Sequence, residues 1–431
     1  MTGELRRNVI LSWTEEAYEV PILSRPLFGF HFHAVNDPDA IRAVLLDRVS
    51  TYAKPALLGR LAGDLLGRGI FAAEGEDWRE QRRLMAPVFT PAAIKGFMPG
   101  FLDEARVTAD GWAAEAPGVI DVAAAATATT FRVICRALCS SEPLMATDEA
   151  AENVAAALAS LGDFRAGALM GVPWLDASPR LRRAAKGRAF IRDAMARFLA
   201  ERRAADDPPD DFMTRLLRVF AETHPPDEAA RLALENAVTF LVAGHETTAN
   251  ALSWALYVLS EQPDVQDVLA AEARDALTET DPDAIIEWTP YLRWVLDEVL
   301  RLYPPAPRIE RQAVADDELC GHEIRKGDLV SVWPWVVHRH RALWKDPDLF
   351  DPENFSPEAK AGHHRFQYIP FGAGPRVCIG AQFALAEAQL ILATWLSRYR
   401  FSPVPGRQVE VQADIALRPK GGLPLRVEVR S

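Results

Sequence analysis

Cysteine is scarce in this sequence. Four occur in 431 residues, Cys135, Cys139, Cys320 and Cys378, and their spacing suits neither a zinc site nor a disulfide framework. A disulfide-stapled secreted scaffold is thereby excluded, and a reducing, cytoplasmic setting is expected. Cys135 and Cys139 lie one helical turn apart with no nearby histidine, which reads as core packing. A long basic run is also missing. The formal charge is 48 − 60 = −12 with the cations scattered, so nucleic acid is not an expected partner. The first residues, Met1-Thr2-Gly3-Glu4-Leu5-Arg6-Arg7, are polar, and no long uncharged apolar stretch follows. Neither a signal peptide nor a membrane anchor fits. Internal repeats and low-complexity tracts are absent as well. What remains is ordinary globular composition, 49% hydrophobic and 25% charged, in a chain long enough for two or three domains or one large domain around a buried cofactor.

The stretch that constrains the reading most is Phe371-Gly372-Ala373-Gly374-Pro375-Arg376-Val377-Cys378-Ile379-Gly380. This loop runs into a helix expected over Ala381 to Ser397, where strong helix formers carry apolar residues at three- and four-residue spacing. Cys378 therefore stands just before a helix N-terminus, whose unpartnered N–H groups stabilise a thiolate. A thiolate binds iron. Gly372 and Gly374 can adopt backbone angles closed to other residues, and Gly380 permits close approach by something flat and large. Arg376 adds a positive charge suited to a carboxylate. A lone cysteine is ordinarily a small buried hydrophobe, but these neighbours argue otherwise. The string matches Phe-x-x-Gly-x-Arg-x-Cys-x-Gly at every fixed position, and in this the chain resembles the cytochrome P-450 family, whose haem-ligand loop has that pattern. The resemblance implies haem b (iron protoporphyrin IX) with an axial thiolate from Cys378, and Phe371, Gly372, Arg376 and Gly380 beside the cofactor. It also implies a mainly α fold with a small β region, the haem lying between a long central helix and the Cys-ligand loop.

The rest of the chain is consistent with one such domain over residues 1–431. A β-rich portion is expected at about 19–55, a helical core at about 77–310, and a hairpin, the Cys-ligand loop and C-terminal helix and strands at about 311–431. Val20 to Ala34 reads as short strands, and Pro38 to Asp47 as a helix capped by Asp37. Pro55 to Ile70 is apolar with glycines, and the resemblance assigns it to the cover of a substrate pocket. Trp78 and Arg82 are four apart and share a helix face. They resemble the family's Trp-x-x-x-Arg contact to a haem propionate, while Arg79 and Arg83 point elsewhere, towards a possible acidic redox partner. Pro91 to Ser140 reads as helical. Two helices, Glu149 to Asp163 and Leu181 to Ala204, flank an apolar loop with Leu169, Met170, Val172 and Trp174, which resembles the family's mobile lid.

One long helix is expected from about Pro226 to Ser260. Its centre, Ala243-Gly244-His245-Glu246-Thr247-Thr248, is poor helix material: glycine lowers propensity, threonine hydroxyls bond back to carbonyls, and a buried charge is costly. The segment resembles the family's Ala/Gly-Gly-x-Asp/Glu-Thr element. That makes Thr247 the oxygen-side hydroxyl and Glu246 its acid partner, a pair able to relay protons to bound O2, with Ala243 and Gly244 leaving room beside the iron. His245 is expected to pack or face solvent, since the thiolate takes the iron.

Glu298 and Arg301 lie three apart on a helix expected over Tyr291 to Leu302, before the exit Tyr303-Pro304-Pro305-Ala306-Pro307. They resemble the family's structural pair. The usual third partner is an arginine in a Pro-x-Arg-Phe string; here Pro352-Glu353-Asn354-Phe355 puts Asn354 in its place. Arg308 and Arg311 follow the prolines, and the resemblance implies that one of the two, with Arg311 favoured, pairs with the other propionate. Leu319 to Trp333 reads as a hairpin and Phe401 to Val429 as strands. The function expected is a haem-thiolate monooxygenase that hydroxylates a small apolar organic substrate, a fatty acid, a terpenoid or similar. No flavin or iron–sulfur segment follows Cys378, so a separate ferredoxin or flavodoxin with an NAD(P)H-dependent reductase is expected. A peroxide-driven peroxygenase would not need Glu246 and Thr247, and a non-catalytic haem sensor would not need that pair either.

Overall fold

The computed structural model describes residues 8–27, 30–56, 65–140, 147–159, 178–413 and 415–430. Leu169, Met170, Val172 and Trp174 lie outside them, as does half of the Pro55 to Ile70 segment, residues 57–64. The chain is mainly helical with small sheets. Its longer helices are α1 (Gly75–Met85), α2 (Met98–Trp112), α3 (Val122–Cys139), α4 (Asp148–Ala159), α5 (Pro179–Ala204), α6 (Phe212–Ala221), α7 (Pro226–Ser260), α8 (Pro263–Ala276), α9 (Pro290–Leu302) and α10 (Ala381–Arg398). Its strands are β1 (Ile22–Leu27), β2 (Phe30–Val35), β3 (Tyr52–Ala53), β4 (Gly118–Asp121), β5 (Ile309–Ala313), β6 (Asp317–Leu319), β7 (His322–Ile324), β8 (Leu329–Val332), β9 (Tyr399–Pro403), β10 (Val411–Ala413), β11 (Leu417–Pro419) and β12 (Pro424–Val429). Two compact units emerge, one from the described parts of residues 1–55, 105–126 and 247–431, the other from those of 56–104 and 127–246. The division falls inside α7, between Glu246 and Thr247.

The first unit holds the sheets. A five-stranded sheet runs in the order β1-β2-β8-β5-β3, with β2 and β8 parallel, and a three-stranded one in the order β4-β12-β9. Its apolar core gathers Trp112, Trp254, Leu292, Leu296, Trp395 and Phe401, each large side chain contributing about 1.5–3 kcal/mol on burial. Aromatic polar tips find partners there: the Trp395 indole donates to the Ala105 carbonyl at 3.1 Å and the Tyr399 hydroxyl to that of Ala109 at 2.6 Å. Helix α10 is apolar on nearly every face because it is buried from Leu385 to Leu396.

The second unit is helical. Phe89, Phe97, Phe212 and Phe240 stack around the start of α6, with ring centroids 4.5–5.1 Å apart in the closest pairs. Helices α4 and α5 approach closely at Gly187, where a Cβ would stand 2.2 Å from the Asn153 carbonyl oxygen. Helix α3 alone among the described residues has the length and apolarity to cross a membrane, and most of it is buried within the protein.

Several sequence expectations change in detail. Asp37 caps the early helix, accepting the Ala40 N–H at 2.8 Å, but after Arg42 the turns widen to π type over Ala43–Asp47. Pro91 to Ser140 is not continuous helix. Strand β4 interrupts it, because Gly118 to Asp121 find partners in β12, far along the chain. The expected hairpin of Leu319 to Trp333 also divides: β6 and β7 pair with each other, whereas β8 leaves them to lie between β2 and β5.

Candidate functional site

The loop before α10 is built from short turns. The Ile369 carbonyl accepts the Gly372 N–H at 3.0 Å, that of Gly374 accepts the Val377 N–H at 3.1 Å, and that of Phe371 accepts the Cys378 N–H at 2.9 Å. Gly372 and Gly374 have φ of 72° and 70°, the left-handed region that excludes most side chains. At Gly374 space excludes one as well, since a Cβ would stand 1.9 Å from the Leu45 carbonyl oxygen. Gly380 sits at the N-cap of α10 and has nothing within 4 Å of where a Cβ would be. The outcome is an exposed thiol at Cys378, while Cys135 and Cys139 are buried. Burial pushes the Cys135 thiol far up, so it is inert. Phe371 and Arg376 are half-buried in the same loop.

The centre of α7 is open on one side. Ala243 is exposed and Gly244, Glu246 and Thr247 are half-buried, between fully buried Leu241, Val242, His245, Thr248 and Ala249. Ala243 and Thr247, four apart, share the open face. Gly244 serves another purpose too: a Cβ there would meet Ile134 of α3 at 3.3 Å. His245 is a packing residue. Its Nδ1–H donates to the Leu241 carbonyl at 2.8 Å, its ring meets the edge of Phe131, and burial holds its pKa below the usual range. The Thr130 hydroxyl donates to the His245 carbonyl at 2.9 Å. Side chains thus reach backbone acceptors on either side of the glycine, while α7 stays helical from Pro226 to Ser260.

A second carboxyl lies near this centre that sequence reasoning missed. Glu387 of α10 is 2% exposed and hydrogen-bonds Thr248, the neighbour of Thr247. Burial pushes its pKa well above the carboxylate range. The one available signal was an acid inside a mostly apolar run from Phe383 to Leu396.

Trp78 and Arg82 share the half-buried face of α1, and Arg79 and Arg83 are exposed. Arg79 is engaged by Glu76. The helix is fixed by residues with no motif: Gln81 donates to the Arg68 carbonyl and accepts from Asn236 of α7, both at 2.9 Å, and Asn236 accepts the Ile70 N–H at 2.9 Å. Arg311 is buried on β5 and donates to the Glu310 carbonyl at 2.8 Å. Arg308 is more exposed and lies over the Trp333 ring.

The family model for Cytochrome P450 matches residues 7–424. The chain belongs to the cytochrome P450 family. Among curated proteins, cyclooctat-9-en-7-ol 5-monooxygenase of Streptomyces melanosporofaciens is 32% identical over 86% of this chain and 80% of its own length. Cytochrome P450 4F12 of Homo sapiens is 31% identical over 91% of this chain and 79% of that protein. The heme domain of cytochrome P450DA superposes with a TM-score of 0.82 at 25% identity, covering 95% of this chain and 90% of that one. P450 enzymes are oxidoreductases that bind haem through a cysteine thiolate. The residues of this P450 fit that group. An exposed thiol precedes a helix N-terminus, and Gly380 leaves open space beside it.

The Glu298–Arg301 pair of this P450 is fully buried. All five guanidinium N–H groups of Arg301 are used. Nε and Nη2 donate to the two oxygens of Glu298 at 2.7 Å, Nη1 to the carbonyls of His338 and Pro347, and Nη2 also to that of Leu349. Glu298 further accepts the Asp351 N–H at 2.9 Å and the Asn354 amide at 3.3 Å. Asn354 therefore enters the network as a neutral donor.

Proposed function

We propose that this P450 inserts one oxygen atom from O2 into a small apolar organic substrate, with electrons from a separate ferredoxin or flavodoxin and its NAD(P)H-dependent reductase. The observation that carries the reading is the exposed Cys378 thiol on a tightly turned loop at the start of α10. Thiolate-ligated haem supplies O–O bond cleavage and oxygen insertion. The chain's own residues do the rest. Cys378 would supply the thiolate that holds the haem, kept as an anion by the helix terminus. Trp78, Arg82, Arg376 and Arg311 would hold the propionates, and Phe371, Gly372, Gly380, Ala243 and Gly244 would leave room for the ring. Glu246, half-buried and so within reach of water, passes protons to the Thr247 hydroxyl, which donates them on the oxygen side and limits the entry of free water.

The family match runs through both compact units, which supports treating them as one catalytic domain. All four cysteines are free thiols, which supports a reducing, cytoplasmic setting. The name of the Streptomyces relative gives a cyclic alkenol as its substrate, which supports an apolar organic substrate here. The test is the absorption spectrum of the reduced protein with carbon monoxide, for wild type and Cys378→Ser. A strongly red-shifted Soret band in the wild type, lost in the variant, is expected. Absence of that band from folded, haem-supplied wild type would overturn the assignment.

A further inference from the structure

His338 is completely buried between α9 and the segment that leads into the Cys378 loop. Its setting follows from the sequence after α9. The Arg301 carbonyl, in the last turn of the helix, would ordinarily accept the N–H four residues on, but that residue is Pro305 and has none. The imidazole takes its place, with Nδ1 at 3.2 Å from the Arg301 carbonyl oxygen. On the other side of the ring, Nε2 lies 2.9 Å from the Ile369 N–H. A carbonyl only accepts and an amide N–H only donates, so the partners fix one protonation state: Nδ1 carries the proton and Nε2 is bare. The tie is reciprocal, since Arg301 Nη1 donates to the His338 carbonyl at 2.8 Å. The Tyr368 ring packs against the imidazole at 5.3 Å between centroids.

The Ile369 end of this tie continues into the thiolate loop. Ile369 gives its N–H to His338 and its carbonyl to the Gly372 N–H, which closes the first turn. That turn includes Phe371, whose carbonyl accepts the Cys378 N–H. Three hydrogen bonds in series therefore run from the imidazole to the backbone of the cysteine. We infer that neutral His338 is a positioning residue for the Cys378 thiolate, clamping the start of its loop to the end of α9. The loop is otherwise a run of short turns with two left-handed glycines, a form with little resistance of its own to opening. Burial and the neighbouring Arg301 and Arg339 hold the imidazole neutral, with its pKa lowered to about 3, as the tie requires.

This inference rests on the haem-thiolate reading only for its effect on the sulfur; the clamp itself is testable without haem. Two variants divide the roles. His338→Phe keeps a ring and loses both bonds, whereas His338→Gln has an acceptor and a donor that restore both. Amide exchange of the haem-free protein should accelerate about tenfold over residues 369–378 in His338→Phe, with the rest of the chain unchanged, and return towards wild type in His338→Gln. In the haem-loaded protein, well below the melting temperature, His338→Phe should show a several-fold larger fraction of carbon monoxide adduct lacking the red-shifted band, again rescued by Gln. Uniform acceleration across the chain, or an unchanged loop and unchanged ligation in His338→Phe, would overturn the clamp. If His338→Phe does not fold, wild type decides: a fast-exchanging Ile369 amide overturns the clamp and a slow one supports it. A wild type without the red-shifted band would sink the haem assignment and leave the exchange result standing.

Discussion

Glu298 and Glu387 are both buried carboxyls, on α9 and α10 of the same unit, yet they are held in opposite ways. Glu298 faces a guanidinium across two 2.7 Å bonds and accepts two more donors. Burial pushes its pKa up, and Arg301, the Asp351 N–H and Asn354 each pull it back. Glu387 has no cation, only Thr248, and one of its oxygens has no partner among the described residues. A single hydroxyl offsets little of the cost of a buried charge, so burial favours the protonated form of Glu387. One site invests in charge and the other in neutrality. A buried acid in this fold is therefore read from its partners and not from its burial.

Breaking the charged site should have the largest effect. Arg301→Leu leaves Glu298 buried and unpaired and should cost about 3–5 kcal/mol, seen as loss of soluble, haem-loaded protein or a large drop in urea midpoint. A variant that folds with near wild-type stability would show that Glu298 can take up a proton as Glu387 does. The pH response comes next in size. His338 titrates near 6.5 in the unfolded chain and near 3 when folded, so below pH 6.5 the unfolded state binds a proton that the folded state does not. Stability should fall as pH drops from 6.5 towards 3, by up to about 1.4 kcal/mol per unit from this group. Urea midpoints of wild type and His338→Gln between pH 7 and pH 5 should diverge, with the wild type losing more. The smallest effect is expected at Glu387→Gln, which keeps shape and neutrality and should change stability by less than about 1 kcal/mol. A loss comparable to that of Arg301→Leu would mean that Glu387 is ionised and that the contrast with Glu298 is false.

The sequence was most informative where chemistry compresses into a short string. The Cys378 loop, the irregular centre of α7 and the Glu298–Arg301 pair were visible because each depends on neighbours within ten residues, and the long helices follow from periodicity. Asn354 was identified as a departure, and its amide reaches Glu298. The supports behind these elements were not legible. His338 matters because of a carbonyl orphaned by Pro305 and an N–H at Ile369, Gln81 because of Asn236, and Glu387 because of Thr248. Each is a polar side chain whose partner is distant in sequence. The same reason hid β4, whose partner is β12, and moved β8 out of the expected hairpin. Gly244 looked like space for a ligand, and its missing side chain also lets α7 approach Ile134.

The contact of Gly374 with Leu45 has a consequence for the order of events in the cell. The turn that aims the sulfur fits only against the carbonyl of a residue made long before it, and a ribosome delivers the chain N-terminal end first. The surface at Ala43–Asp47 must therefore wait, folded or protected, through most of translation before the thiolate loop can seat on it. On the proposed haem-thiolate reading, capture of the prosthetic group is then a late step in the biogenesis of this enzyme, and a chain stalled before α10 has no finished seat for it.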